Sequence, residues 1–459
     1  MEDTIAAIAT AYGEGGIGIV RLSGEESGNI LKKIFVPKHL QGTEPIANKR
    51  LYYGYIVDPS SGQVIDEVLT VFMKAPATYT KEDVAEIYCH GSIVALRKTL
   101  ALTLRNGARL AEKGEFTKRA FLNGRLDLSQ AEAVIDIVRA KTDKSFDVAL
   151  NQMEGALSER VKEIRQVMMD LLVDLTVNLD YPDEDIEILT YQKLKESLSQ
   201  IGDMIDKLLS TAGTGRIIRE GLHVAIIGKP NVGKSSLMNA LLKEARAIVT
   251  EIPGTTRDTI EEIINIRDIP VRLTDTAGIR ETEDTIEKIG IEKSKESFNR
   301  ADLIIFILDG SNPLAEEDMR IMEKIGARKT IVLINKIDLG QQTDEDDFRK
   351  CLPEAKVIKA AIRQGVGIDE LEREIADMVY GGEIRQEESL LVTNVRHTEL
   401  LEKAGTAVAD AYRMAESSEA LDFIEVDVRR SWELLGEIIG ESVTEDIIDQ
   451  VFERFCLGK

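Results

Sequence analysis

Only three cysteines, Cys89, Cys351 and Cys456, occur in the 459-residue chain. An odd set without paired spacing builds neither a disulfide framework nor a zinc site, and it suits a reducing cytoplasm. Positive charge is also short. Lys and Arg total 58 against 81 Asp and Glu, a net charge of −23. Such a chain lacks the global field of a non-specific nucleic-acid binder, so any RNA contact must use a local basic patch or be delegated to a partner protein. No run of about 18 apolar residues occurs, which leaves no candidate membrane span. The start, MEDTIAAIATAYGEGG, has no basic segment followed by a long apolar one, so no secretory signal is expected. No internal repeat and no low-complexity tract is visible. The remaining composition is that of a globular protein, 43% hydrophobic and 30% charged, with length for about three domains.

Residues 1–117 read as mixed α/β. GIGIVRL, LYYGYIV and EVLTVFM are strand-type runs between Gly, Pro and Asp turns. SIVALRKTLALTLRNGA reads as an amphipathic helix ending near Gly107. From 118 the pattern turns helical. Ser129-Gln-Ala-Glu132 has capping-box spacing, with Ala133, Val134, Ile137 and Val138 on one face. The stretch from Thr142 to Leu179 carries apolar residues at three and four without a proline, and Tyr181-Pro182 stops it. TYQKLKESLSQIGDMIDKLLS then leads to the glycine-rich TAGTG at 211–215, read as a boundary. Over 216–381 the buried-type runs HVAIIG, VRLTDTAG, LIIFILDG, TIVLINK and KVIKAAI alternate with helices. That predicts a parallel sheet covered on both faces. Helical character returns over 382–459. The expected fold class is α/β plus α: a mixed α/β N-terminal domain, a helical domain made of the segments 118–215 and 382–459, and a Ras-like P-loop domain at 216–381 inserted between them.

The chemistry concentrates in that insert. Gly228-Lys-Pro-Asn231-Val232-Gly233-Lys234-Ser235-Ser236 follows a strand run and opens a helix run, as a phosphate-binding P-loop requires. Lys234 is placed to neutralise the β- and γ-phosphates and Ser235 to ligate Mg²⁺. Asp275-Thr276-Ala277-Gly278 ends a second strand run, where the acid holds Mg²⁺ through water and the glycine amide reads the γ-phosphate. Asn335-Lys336-Ile-Asp338 ends another. A carboxylate at Asp338 accepts from two guanine donors that adenine lacks, so the base is expected to be guanine. Gly254-Thr255-Thr256 lies where a switch segment would offer a hydroxyl to Mg²⁺. Two features depart from Ras-like enzymes. Ile279 stands where a glutamine would orient water, and Ala361-Ile362-Arg363 replaces the usual Ser-Ala-Lys. Asn231 reads either as a turn residue or as an oxygen ligand for a monovalent cation.

Other motifs are less pointed. Gly13-Glu-Gly15-Gly-Ile-Gly18 has dinucleotide spelling but precedes a strand run, whereas a dinucleotide fingerprint must open a helix. Arg21 reads as a ligand anchor or a surface charge, and Glu86 and His90 are similarly open. The acids Asp180, Asp183, Glu184 and Asp185 read as a solvated helix start rather than a metal site. Ile447, Ile448, Val451, Phe452 and Phe455 form an apolar helix face ahead of Cys456-Leu-Gly-Lys459. Cys456 is therefore either a packed structural thiol or a group that reaches a pocket.

These runs together resemble one family. DTIAAIAT, GEGGIGIVRLSG, YTKEDVAEIYCHG, GEFTKRAFLNGRLDLSQAEAV, GKPNVGKSSLMN, GTTRD, DTAGIR, IGIEKS, NKID and the terminal FCLGK are similar to those of the MnmE (TrmE) tRNA-modification GTPases, over essentially the full length. The resemblance implies an N-terminal domain that binds a 5-formyl- or 5,10-methylene-tetrahydrofolate and forms a homodimer. It implies a GTP/GDP site with Mg²⁺ and activating K⁺, and a heterotetramer with the FAD-dependent partner MnmG (GidA). The pair would install an aminomethyl or carboxymethylaminomethyl group at C5 of the wobble uridine U34 of tRNA. Arg21, Glu86, Arg125 and Lys459 would line the folate site; Arg125 stands where a lysine can occur, and the exchange is not neutral at a shaped site. Asn231, Thr255 and the backbones of Thr250 and Ile252 would hold K⁺, Ser235 and Thr256 would hold Mg²⁺, and Thr250 and Thr255 would border GTP. Glu287 would orient the attacking water, acting with Lys234, while Cys456 would serve the one-carbon chemistry. The chief alternative is a GTP-dependent binding switch in ribosome assembly. It would be favoured by a basic RNA-binding domain, which the sequence does not show. A membrane-associated GTPase has no hydrophobic or basic anchor to support it.

Overall fold

The computed structural model describes the chain except residues 1–2, 12, 39–45, 181–189, 245–260, 276–297, 344 and 382–390. It forms two compact units. One comprises Met1–Val138, Gln152–Ile201 and Thr406–Lys459, the other Arg139–Asn151 and Gly202–Gly405.

The first unit opens on seven strands: β1 (Ile5–Ile8), β2 (Gly15–Ser23), β3 (Phe35–Pro37), β4 (Leu51–Val57), β5 (Val64–Met73), β6 (Val84–Gly91) and β7 (Arg109–Leu110). Their order is β3-β4-β5-β6-β2-β1-β7. Period-two burial is plain in β4, where Tyr52, Gly54 and Ile56 are buried while Leu51 and Tyr53 are exposed. Helices Ser27–Ile34 and Ile93–Arg105 supply Ile30, Leu31, Ile34, Leu96 and Leu102 to one core with Val20, Leu22, Ile56, Val68 and Ile87. The glycine run that spells a dinucleotide motif enters β2, not a helix.

The helical part of this unit departs from the sequence reading in two places. Helix Leu128–Arg139 begins ahead of Ser129. Its reciprocal cap is Asp127 with Gln130: Gln130 N donates to Asp127 Oδ1 at 3.0 Å, and Asp127 N donates to Gln130 Oε1 at 3.0 Å. Ser129 is buried instead, within hydrogen-bonding distance of Ser158 Oγ at 2.9 Å. The stretch from 142 to 179 is two helices, Asp143–Glu154, which belongs to the second unit through Asn151, and Ala156–Asp180, parted at Gly155 with φ 103°. Helix Ala156–Asp180 packs along Leu421–Ile439, burying Val161, Ile164, Met168, Leu171, Leu172 and Leu175 at helical spacing. Arg165 fixes that pair. Its guanidinium lies 4.0 Å from the Trp432 ring centre and bonds Trp432 O and Glu441. Helix Glu445–Phe452 turns Ile448, Val451 and Phe452 onto Leu128, Ala131, Val134 and Ile135.

The second unit holds β8 (Leu222–Ile227), β9 (Glu261–Ile266), β10 (Ile269–Asp275), β11 (Leu303–Asp309), β12 (Thr330–Asn335) and β13 (Lys356–Lys359), in the order β13-β12-β11-β8-β10-β9. The sheet is not wholly parallel as the alternation suggested. β9 pairs antiparallel with β10, because Arg267 and Asp268 both take positive φ, 49° and 66°, and close a two-residue hairpin. One face carries Val224, Ile226, Ile305, Ile307 and Leu333 with Leu371 and Ile375, the other Ile304, Phe306, Leu308, Val332 and Ile334 with Met322 and Phe348. The TAGTG stretch is largely helical. It lies within helix Ala212–Glu220 or on its border, and a Cβ at Gly215 would meet Val392 O at 2.2 Å. Glycine there serves close packing.

Among the described residues of the first unit, Arg119 is the most buried charge, with no exposed side-chain surface. It joins Asp3 at 2.7 Å, Glu82 at 3.2 Å and Glu115 at 3.0 Å. Arg109 bonds Asp3 and Glu115 as well. Arg109 above all holds the Asp3 carboxyl below its usual value. Burial pushes Glu115 up, but Arg109, the Glu112 N–H and Arg119 outweigh it. Arg119→Met leaves Asp3 and Glu115 to Arg109 alone and takes from Glu82 its bond to Arg119, and is expected to cost about 3 kcal/mol. Faster amide hydrogen exchange across Glu115–Leu122 and a lower urea midpoint check it. Since folding depresses both carboxyls, their contribution is complete above the unfolded-state values near 4 and is lost as pH falls through the lower folded ones.

Candidate functional site

β8 runs straight into the P-loop, and helix Lys234–Glu244 follows. The loop turns at Gly228, Asn231 and Gly233, with φ of 150°, 65° and 117°. Val232 is buried and anchors it. Lys234 Nζ donates to Gly228 O at 2.7 Å and Lys229 O at 2.8 Å, so the ammonium lies inside the loop it serves. Ser235 and Ser236 stand in the first helical turn, where backbone N–H groups and the helix dipole favour phosphate. A Cβ at Gly233 would come within 2.3 Å of Asn335 Nδ2, so only glycine fits there.

Asn335, at the end of β12, joins three loops. Its Nδ2 donates to Val232 O at 2.7 Å and its Oδ1 accepts from Ile362 N at 3.1 Å. Ala361 and Val366 close the Ile362–Arg363 turn in a backbone bridge. The neighbouring Lys336 takes a left-handed φ of 65°, and its Nζ lies 2.7 Å from Asp309 Oδ2. Burial raises the Asp309 carboxyl, yet the Lys336 and Ser311 bonds keep it below its usual value. Asp338 sits in the turn Ile337–Leu339, where Gln364 Nε2 donates to its Oδ2 at 3.2 Å. The backbone of Asp275 ends β10, parallel to β8 and beside it. These groups all gather at the C-terminal ends of parallel strands, where ligands of open α/β sheets bind. Thr250, Ile252, Thr255, Thr256, Thr276, Ala277, Gly278, Ile279 and Glu287 lie outside the described residues.

A second set converges in the first unit. Arg21 on β2 and Glu86 on β6 are register partners, joined Nε to Oε1 at 2.8 Å. Tyr88 donates to the other oxygen of Glu86 at 2.7 Å. The Arg21 guanidinium lies 5.8 Å from the Phe116 ring centre. Phe116 N in turn donates to Lys459 O at 3.2 Å, Gly114 N donates to Cys456 O at 3.4 Å, and Lys113 bridges Leu457. The last four residues are thus laid along the entrance of helix Glu115–Leu122, with Cys456 exposed. Arg125 reaches Tyr79, 4.6 Å from its ring centre and bonded to its carbonyl, and Tyr79 Oη lies 3.0 Å from Thr117 Oγ1. His90 pairs instead with Asp66 at 2.7 Å. Asp180 is exposed at the C-terminal end of its helix rather than at a helix start, and residues 183–185 lie outside the described ones. Among the described residues no three His, Cys, Asp or Glu are placed to hold a metal.

Sequence reading missed Tyr79, Tyr88 and Phe116. Only Tyr88 left a signal, two residues from Glu86 on the same strand face.

The chain matches the family model of the MnmE helical domain over residues 128–456 and that of the GTP-binding protein TrmE N-terminus over 4–125. It is 53% identical to the tRNA modification GTPase MnmE of Alkaliphilus metalliredigens (strain QYMF), over 100% of both chains. It is 52% identical to that of Clostridioides difficile (strain 630), again over 100% of both, and 51% identical to that of Geobacillus kaustophilus (strain HTA426), over 100% of this chain and 99% of the other. The chain belongs to the MnmE family of tRNA modification GTPases. The fold class accords with that: a mixed α/β N-terminal part, helices from two chain segments, and a Ras-like P-loop part between them. As an MnmE-family GTPase it binds GTP and GDP and hydrolyses GTP.

Asp338→Asn is expected to weaken GTP by about 10–100-fold, the scale of a charged hydrogen bond or two, and to favour XTP, whose carbonyl accepts from the new amide. Competition binding of the two nucleotides measures it; retained preference for GTP would remove Asp338 as the reader of the base.

Proposed function

We propose that this protein is a K⁺-activated GTPase that works with the FAD-dependent MnmG (GidA), as a heterotetramer, in folate-dependent modification of tRNA. The product is an aminomethyl or carboxymethylaminomethyl group at C5 of U34. The observation that carries the reading is the tail: Cys456–Lys459 is seated against Gly114 and Phe116, beside the Arg21–Glu86 pair. A cation, a carboxylate, an aromatic ring and a terminal lysine suit a folate, which offers pterin N–H donors and a glutamate tail. Arg21, Glu86, Arg125 and Lys459 bind it in this reading, and Cys456 lies near the one-carbon unit. The tetrahydrofolate derivative carries that unit; these residues orient it.

The proposed domains are 1–117, 118–215, 216–381 and 382–459. Homodimerisation through the first is supported by the exposed Leu51, Tyr53 and Leu69 on neighbouring strands β4 and β5, with exposed Val36 on β3. Work on tRNA with a soluble partner suits a cytoplasmic protein, and among the described residues no helix is long and apolar enough to cross a membrane. In the nucleotide site, Lys234 compensates phosphate charge. Ser235 and Thr256 hold Mg²⁺. Asn231, exposed and left-handed in the loop, joins Thr250, Ile252 and Thr255 around K⁺. Held there, K⁺ would supply the positive charge that an arginine finger supplies elsewhere, and Glu287 would orient water where Ile279 cannot.

GTP turnover should then fall by at least about tenfold when Na⁺ replaces K⁺ at equal ionic strength. Equal rates would refute the cation's role. Cys456→Ser should leave GTP hydrolysis intact and abolish wobble modification, read by mass spectrometry of tRNA nucleosides from cells carrying the variant. Normal nucleosides would reduce Cys456 to packing. Loss of both activities would make the tail a structural clamp.

A further inference from the structure

The connection from β11 to helix Glu316–Ile325 carries none of the nucleotide motifs, yet it touches two of the loops that do. At its start, Asp309 holds Lys336 at 2.7 Å, and Gly310 N donates to Asn335 O at 2.7 Å. At its far end, Asp318 Oδ2 lies 2.6 Å from Nζ of Lys229, the second residue of the P-loop. The Asp318 side chain is 2% exposed. The same oxygen accepts from Ala315 N at 3.0 Å and so caps the helix. Its Oδ1 has no hydrogen-bond partner among the described residues. A carboxylate so buried and so sparsely bonded depends on its cation. Lys229 is thereby held from both ends: its ammonium by Asp318, its carbonyl by Lys234 Nζ at 2.8 Å.

A lysine at this place in a P-loop invites the reading that it adds positive charge to the phosphates. The geometry points elsewhere, because its ammonium is neutralised by Asp318. We propose that Lys229 and Asp318 are a positioning pair for the P-loop, which set nucleotide affinity and release without touching the nucleotide. The pair fixes Lys229 and with it the two consecutive carbonyls, Gly228 O and Lys229 O, that hold Lys234. Phosphate binding requires the Lys234 ammonium and the loop's N–H groups to stay aimed at the ligand. A loop already fixed has less freedom to lose on binding. A loop released from Asp318 must be ordered each time, and the nucleotide leaves sooner.

The two readings predict opposite signs. Full-length protein loaded with mant-GDP and chased with excess GDP reports the release rate. If the pair is a brace, Asp318→Asn speeds release about tenfold, the equivalent of about 1.4 kcal/mol. If Lys229 serves the phosphates, the same substitution frees its charge and slows release. Lys229→Met is expected to match Asp318→Asn, the double variant to add little to either, and Lys229→Arg to stay within about threefold of the parent. The apparent KM for GTP should rise, while kcat at saturating GTP changes by less than about twofold, since neither group touches the reacting atoms. Should Lys229→Met fail to fold because it strands a buried carboxylate, Asp318→Asn decides alone, its amide oxygen still able to cap Ala315. Slower or unchanged release in Asp318→Asn, additive effects in the double variant, or a fall in kcat without a rise in KM would overturn the proposal.

Discussion

The amide of Asn335 makes one site out of separate loops. It is 4% exposed, and both ends are used: the nitrogen on Val232 O of the P-loop, the oxygen on Ile362 N of the turn that replaces Ser-Ala-Lys. An apolar side chain would leave a buried carbonyl and a buried N–H unpaired, each at about 1–3 kcal/mol. A Cβ at Gly233 would collide with this amide. The P-loop glycine and the asparagine are therefore one constraint seen from two strands. The backbone of the Ile362 turn is held in place although its side chains depart from the usual motif, because Asn335 grips an N–H and not a side chain.

Charges outside the motifs do comparable work around that bridge. Asp309 and Asp318 belong to the same connection after β11 and hold the lysines of two different loops. In the other unit, Arg119 and Arg109 gather the chain start, Glu82 and Glu115 into one cluster. That cluster anchors the helix whose entrance receives the C-terminal tail. In both places a buried or half-buried ion pair fixes backbone that a functional loop or tail then uses. In a chain of net charge −23, the cations of both clusters are committed to named acidic partners.

The nucleotide loops were legible because each is local. A strand run, a loop of fixed glycine spacing and a helix start follow one another within a dozen or so residues, and backbone N–H geometry does the binding. Asn335 and Asp338 stand out as candidates for the same reason. The helix cap was misplaced by two residues because both Asp127 and Ser129 have the right chemistry, and only burial of Ser129 against Ser158 separates them. TAGTG reads as a boundary because glycine breaks isolated helices; packing against Val392 makes glycine necessary at Gly215. The antiparallel β9 escaped notice because its hairpin rests on Arg267-Asp268, a pair with no glycine to mark the turn.

From the chain alone came the fold class, the guanine-nucleotide loops, the inserted order of the segments and a likeness to the MnmE family. All depend on residue types at short, fixed separations, where periodicity and turn chemistry act directly on the backbone. Tertiary structure alone decided that Phe116 receives the last residue of the chain and that Lys229 is held by Asp318. Such pairs form between elements brought together by strand order and helix packing. The energy that selects them, burial of polar or charged groups that must find a partner, exists only once water has been excluded from the fold.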